Sequence, residues 1–235
     1  MNALEIKDLT KKYDDFKLDN LTLSIPEGSI TGFIGENGAG KSTTIKLIIG
    51  AIRKDSGSIN ILGTDNIDTV KEDVGVVMDD VGFPSCLNAV QVGKIMRNAC
   101  KRWDDNVYSG YLEKLEIPKK KAFGELSRGN RMKLGFAVCM SHSPKILLLD
   151  EATGGLDPIV RDEVVTVIKD FASDGKHSVL MSSHIVSDLE KICDRLAFIH
   201  KGKLLMCKSY EEIESEYDGI GIEDFFLKLV KGELS

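Results

Sequence analysis

The sequence predicts an α/β fold, a mostly parallel sheet wrapped by helices, on three observations. Strand-length apolar runs recur at Ile30 to Ile34, Ile146 to Leu149 and Val179 to Met181. Segments of helical period stand between them, as from Pro158 to Phe171. A glycine-rich loop joins the first of these strands directly to a helix. Alternation of this kind brings successive strands side by side, with helical crossovers covering the faces.

Taken in order, apolar residues alternate at Leu4 and Ile6, and again at Leu21, Leu23 and Ile25, the period of half-buried strands. Pro26-Glu27-Gly28 makes a turn. Ile30 to Ile34 reads as a buried strand, "GENGAGKST" follows, and Ile45, Leu47, Ile48, Ile49 and Ile52 read as a helix closed by polar Arg53 to Ser58. From Ser85 the period lengthens. Leu87, Val90, Met96, Ala99 and Trp103, then Val107, Tyr108, Tyr111, Leu112 and Leu115, predict two helices that end at Pro118. The stretch 85–141 is expected to be a helical insertion in a core made of 1–84 and 142–235. In the tail "EDFFLKLVKGELS", Phe225, Phe226, Leu229 and Val230 recur at helical spacing, as in a helix docked on its own core.

The balance of 31 basic against 37 acidic residues, a formal charge of −6, argues against nucleic acid as a partner, because a duplex is gripped mainly through its phosphates. Cys86, Cys100, Cys139, Cys193 and Cys207 are odd in number, scattered and without a C-x-x-C pair, so reduced thiols in a cytoplasmic protein are expected. Glu5, Lys7 and Asp8 interrupt any signal-peptide pattern, and the apolar runs are only strand length. Any membrane role is therefore expected to come through a partner.

Gly35 to Ser42 fits G-x-x-x-x-G-K-[ST] and lies between a buried strand and a helix, the context this motif requires. The fold is accordingly expected to be a P-loop NTPase core. Gly38 and Gly40, with Asn37 and Ala39 beside them, let the backbone N–H groups converge on a phosphate, and the helix start adds partial positive charge. Lys41 is expected to bridge β- and γ-phosphates, Ser42 to bind Mg²⁺, and Thr43 to touch the α-phosphate. "KILLLDEAT" ends a strand in Asp150, expected on the hydrated Mg²⁺, and Glu151, expected to orient and deprotonate the attacking water. "SVLMSSH" carries His184 to the same sheet edge for a γ-phosphate contact. No N-K-x-D motif for reading guanine is present, so a GTPase is disfavoured.

A second helix start, "ELSRGNRMKL", presents backbone N–H groups without any lysine to clasp a phosphate. Here the chain resembles the ATP-binding subunit of ABC transporters, through the order "GENGAGKST", "LSRGN", "ILLLDE", "GGLDP" and "SSH". The resemblance covers essentially the whole chain. It implies an antiparallel β subdomain at the N-terminal side, the inserted α-helical subdomain, and a dimer that sandwiches two ATP molecules. Ser127, Gly129 and Asn130 of one chain would then face the γ-phosphate held by the Lys41 loop of the other. By the same resemblance Asp157 lies at the subunit seam and Tyr13 stacks on adenine. Three positions depart from the family pattern: Arg128 replaces a glycine, Asn130 a glutamine, and Asp79, or Asp80, the glutamine after "VGVVM". Asp79 is expected to reach a water on Mg²⁺. The likeness is strongest to the branch exporting drugs, peptides and lantibiotics, and it implies a second ATPase subunit and an integral membrane permease at the inner face of the cell membrane. The alternative is a soluble ABC ATPase uncoupled from transport, for example of the iron–sulfur assembly type.

Overall fold

The computed structural model describes residues 1–217 and 219–234. Strands β1 (Asn2–Lys12), β2 (Lys17–Pro26) and β4 (Ser56–Ile61) form an antiparallel sheet in the order β2-β1-β4. The second sheet has the order β5-β6-β7-β3-β8-β9, from β3 (Ile30–Ile34), β5 (Val74–Val77), β6 (Ile146–Asp150), β7 (Ser178–Ser183), β8 (Arg195–His200) and β9 (Lys203–Ser209). Its strands run parallel apart from β9, which pairs antiparallel with β8. Every residue of β3, β6 and β7 is buried, as a parallel sheet covered on both faces demands.

Because side chains alternate along a strand, the two faces of this sheet feed two different cores. Ile30, Ile34, Leu147, Leu149, Val179 and Met181 point into one. There they meet α3 (Ala89–Ala99), α4 (Asp105–Lys114), α5 (Arg128–Met140), α6 (Pro158–Ala172) and α9 (Ile222–Lys231). Phe33, Ile146, Leu148, Leu180, Ala197 and Ile199 point the other way, against α1 (Lys41–Ile48) and the antiparallel sheet. The short helices α2 (Ile67–Val70), α7 (Val186–Glu190) and α8 (Tyr210–Glu216) complete the chain. Phe225 and Leu229 of α9 are buried, so the tail helix docks on its own core as expected.

The structure departs from the sequence reading in specific places. The helix after the glycine-rich loop stops at Ile48, and Ser56–Ile61, read as part of a polar closure, is a strand paired with β1. Its signal was the alternation of Ile59 and Ile61, both buried, behind a misleading polar start. The second helix of the 85–141 stretch ends at Lys114, and Glu116 turns the chain at a φ of 52° before Pro118 is reached. Cys139 and Cys193 are buried, Cys86 is exposed, and all five thiols are free. Among the described residues no helix is long and apolar enough to cross a membrane.

Candidate functional site

Parallel pairing aligns the carboxyl ends of the central strands, so Ile34 sits opposite Ser183 and Asp150 opposite Ser182. The glycine-rich loop, the acidic pair and His184 are thereby delivered to one edge, the edge where open α/β sheets hold ligands. Gly40 caps α1 at a φ of 114°, and Gly38 has a φ of 81°, a left-handed geometry that side chains resist. Thr44 secures the turn by donating to the Gly40 carbonyl from Oγ1 at 2.8 Å and from its N–H at 2.9 Å. Gly35 has a steric reason too, since a Cβ there would lie 2.5 Å from the Ile199 carbonyl oxygen.

Lys41 is only 4% exposed, and its ammonium has three partners. It donates to the carbonyls of Gly35 at 2.6 Å and Glu36 at 3.2 Å, and pairs with Glu151 Oε1 at 3.1 Å. A buried cation is tolerated only when so compensated. These carbonyl contacts curl the loop around its own lysine.

Asp150 Oδ1 accepts hydrogen bonds from Ser42 Oγ at 3.0 Å and Ser182 Oγ at 2.8 Å. The next residue, Glu151, is held at a φ of 51°, a strained geometry for a side-chain-bearing residue that costs about 1 kcal/mol or more. Its N–H is fixed by Ser182, through the carbonyl at 3.2 Å and Oγ at 3.1 Å. The strain turns the carboxylate back over the loop. There Oε1 meets Lys41, and Oε2 lies 2.6 Å from His184 Nδ1. Ser182 thus organises both acids, a role the sequence reading missed; its only signal was a hydroxyl near the end of the strand run "SVLMSSH", which pairing sets opposite Asp150.

A cleft of about 630 Å³ opens over this floor. Tyr13, Asn37, Gly38, Gly40, Lys41, Ser42, Thr43, Asp79 and Glu151 line it, as do Asp15, Phe16 and Glu36, which the sequence reading missed. Tyr13 is 48% exposed, and its ring lies 6.3 Å from that of Phe16, which in turn closes on Gly40. The spacing of two aromatics around an acidic turn was the available signal. Gly35 and Ala39 are buried behind the loop and do not line the cleft. The donor set of one hydroxyl and one carboxylate, Ser42 and Asp150, suits Mg²⁺, which keeps waters and shares its shell with phosphate oxygens.

Ser127, Gly129, Asn130 and Asp157 do not line this cleft. Ser127 is the N-cap of α5, its Oγ accepting from the Asn130 N–H at 3.3 Å. Position in the helix leaves the N–H groups of Arg128 and Gly129 without intrahelical acceptors. Asp157 caps α6 through the N–H groups of Ile159 at 3.2 Å and Val160 at 3.1 Å. The two helix starts pack together, since a Cβ on Gly129 would come 2.9 Å from Val160 Cγ1. Asp79 reaches the cleft wall, but its Oδ1 is paired with the guanidinium of Arg128.

The sequence profile of the family described as "ABC transporter" matches residues 18–154. The "Bacitracin transport ATP-binding protein BcrA" of Bacillus licheniformis is 36% identical over 208 residues, covering 86% of this chain and 68% of that protein. The "Lantibiotic transport ATP-binding protein SrtF" of Streptococcus pyogenes is 33% identical over 215 residues, covering 90% of this chain and 93% of that one. Among solved structures, that titled "Structure of ATP binding subunit of ABC transporter" superposes with a TM-score of 0.87 at 23% identity, over 97% of this chain and 99% of the other, a likeness of fold. With the strand-edge assembly of Lys41, Ser42, Asp150 and Glu151, these matches place the chain in the ABC transporter family, among its ATP-binding subunits.

Proposed function

We propose that this chain is the Mg-ATP-hydrolysing subunit of an exporter of peptide antibiotics or lantibiotics, and that two such subunits close around two ATP molecules to drive a separate permease. The relatives named for bacitracin and lantibiotic transport support the cargo class. The permease would hold the subunit at the cytoplasmic face of the membrane. Residues 85–141 serve as the helical insertion between the two parts of the core. A soluble ATPase uncoupled from transport has no specific observation in its favour.

The observation that carries the reading is the position of Glu151, turned by its backbone to lie between Lys41 and His184 at the cleft floor. Lys41 and the loop N–H groups bind and orient the triphosphate. Tyr13 supplies a ring face for adenine. Ser42 and Asp150 would hold Mg²⁺, which neutralises charge on the phosphate oxygens when bound. When a γ-phosphate draws Lys41 away, Glu151 loses its cation and its carboxylate is free to take a proton from the attacking water. His184 then keeps that carboxylate aimed and contacts the γ-phosphate. Asp79 is assigned to a water on the metal. Ser127 and Gly129, with Asn130 behind them, contact the γ-phosphate bound to the partner subunit, with Asp157 at the seam.

Glu151→Gln tests this assignment. Removing the base should lower kcat by at least about 100-fold. Binding should survive, and Mg-ATP should hold the variant as a dimer in gel filtration. Retained turnover, or a monomer under conditions where nucleotide binds, would overturn the assignment.

A further inference from the structure

Two departures from the family pattern meet one another. By the resemblance, Arg128 stands where a glycine is usual and Asp79, with Asp80 beside it, where a glutamine is usual; Arg128 and Asp79 are 49 residues apart in sequence and paired in space through Arg128 Nη2 and Asp79 Oδ1. Asp79 stands just past β5 and faces two cavities at once. One is the nucleotide cleft. The other, of about 370 Å³, is lined by Asp79, Asp80, Arg128, Arg131 and Met132. The guanidinium of Arg128 also lies along the loop after Glu151, since a Cβ on Gly155 would sit 3.3 Å from its Cζ.

The charge on the cleft wall makes this pair consequential. Among the described residues, Asp15, Glu36, Asp79 and Glu151 line the cleft against a single lining cation, Lys41. A glutamine at 79 would add no charge. A carboxylate adds a negative charge that repels the polyphosphate, unless a cation offsets it. Arg128 and Asp79 are both 52% exposed, and exposed pairs contribute little to fold stability. Their effect is therefore on the field in the cleft.

We propose that Arg128 is a positioning residue for nucleotide binding: it neutralises Asp79 and turns that carboxylate off the triphosphate, so that an acidic residue can occupy the glutamine's place. This rests on the cleft being the ATP site. If the unaltered chain binds no ATP, that reading fails; if it binds ATP with no dependence on Arg128, only the present one does.

The test is calorimetric titration of the full chain with Mg-ATP and Mg-ADP, at low and high salt. Arg128→Gln should weaken ATP binding by about 3- to 10-fold, the range expected of a screened unit charge. ADP, carrying less charge, should lose less, and salt should shrink both losses. Arg128→Lys should bind nearly as the unaltered chain does. The decisive arm is Arg128→Gln combined with Asp79→Gln, which should restore ATP affinity to within about 2-fold, because no charge then remains to offset. A helix start that is merely loosened would weaken ATP and ADP alike and would not be rescued by Asp79→Gln. That outcome, or unchanged affinity in Arg128→Gln, overturns the proposal.

Discussion

Two helix N-termini of this molecule invite comparison, those of α1 and α5. The first is organised from within: Gly40 caps it without a side chain, Lys41 is buried, and Asp150 and Glu151 are held by Ser42, Ser182, Lys41 and His184. The second is capped by its own serine and leaves Ser127 and Arg128 exposed. Both offer backbone N–H groups and a positive dipole end. On the function proposed above, the difference teaches that one is a pocket whose charges are compensated until a ligand enters, while the other is a surface that needs its ligand brought to it. On the dimer proposed above, that ligand is the nucleotide in the partner's pocket.

The largest effect should come from breaking the buried end. Lys41→Ala removes a cation lining the cleft and strands Glu151, so ATP affinity should fall by about 100-fold in calorimetry, the value of a buried charge-assisted contact. Unchanged binding would contradict the loop assignment. Mixing Lys41→Ala chains with Ser127→Arg chains probes the other end. Heterodimers keep one intact composite site and should recover activity that neither parent has; heterodimers as inactive as the parents would remove the case for cross-chain sharing.

A sharper probe of the exposed end separates its two tasks. Aspartate caps a helix about as well as serine, so Ser127→Asp should shift thermal unfolding by less than about 2 °C. The carboxylate would nevertheless face a γ-phosphate, and ATP-dependent dimer formation should weaken by about 10-fold or more. Ser127→Ala should cost about 1 kcal/mol of stability through the lost cap, and should weaken ATP-dependent dimer formation less than Ser127→Asp does, since it removes a contact without adding a charge. Equal losses in both variants would reduce Ser127 to a structural cap.

The same contrast governs what could be read from the sequence. The α1 end was legible because its requirements are local: glycines at positive φ, a lysine and a hydroxyl follow one another along a strand, loop and helix. Its supports were not. Ser182 reaches Asp150 only through strand pairing, and Phe16 reaches Gly40 only once β2 and β3 have folded between them, so neither relation has a fixed spacing in sequence. At the α5 end the helix start was visible, but the Arg128–Asp79 pair was not, because 49 residues separate its members. Strand β4 was lost for a related reason. Its polar first half pairs along β1 and gains its place from the partner strand rather than from its own pattern.

The smallest effect lies just past the far end of α5, and it distinguishes that helix from α1 by acid sensitivity. His142 is buried, its Nδ1 lies 3.1 Å from the Glu72 carbonyl oxygen, and desolvation holds its pKa below the ordinary 6.5. Glu72 opposes this shift and Arg102 adds to it. The unfolded chain therefore binds a proton here more readily than the folded one does. The stability tied to this group is fully present above pH 6.5 and is lost as pH falls from there through the lower folded-state value. Hydrogen exchange should accelerate in the last turn of α5 between pH 7 and 5 more than in α1, after correction for intrinsic rates. His142→Asn, which keeps a donor but cannot charge, should remove the difference. Equal acceleration of both helices in the unaltered chain would mean that acid acts on the whole fold and that His142 does not set the response of α5.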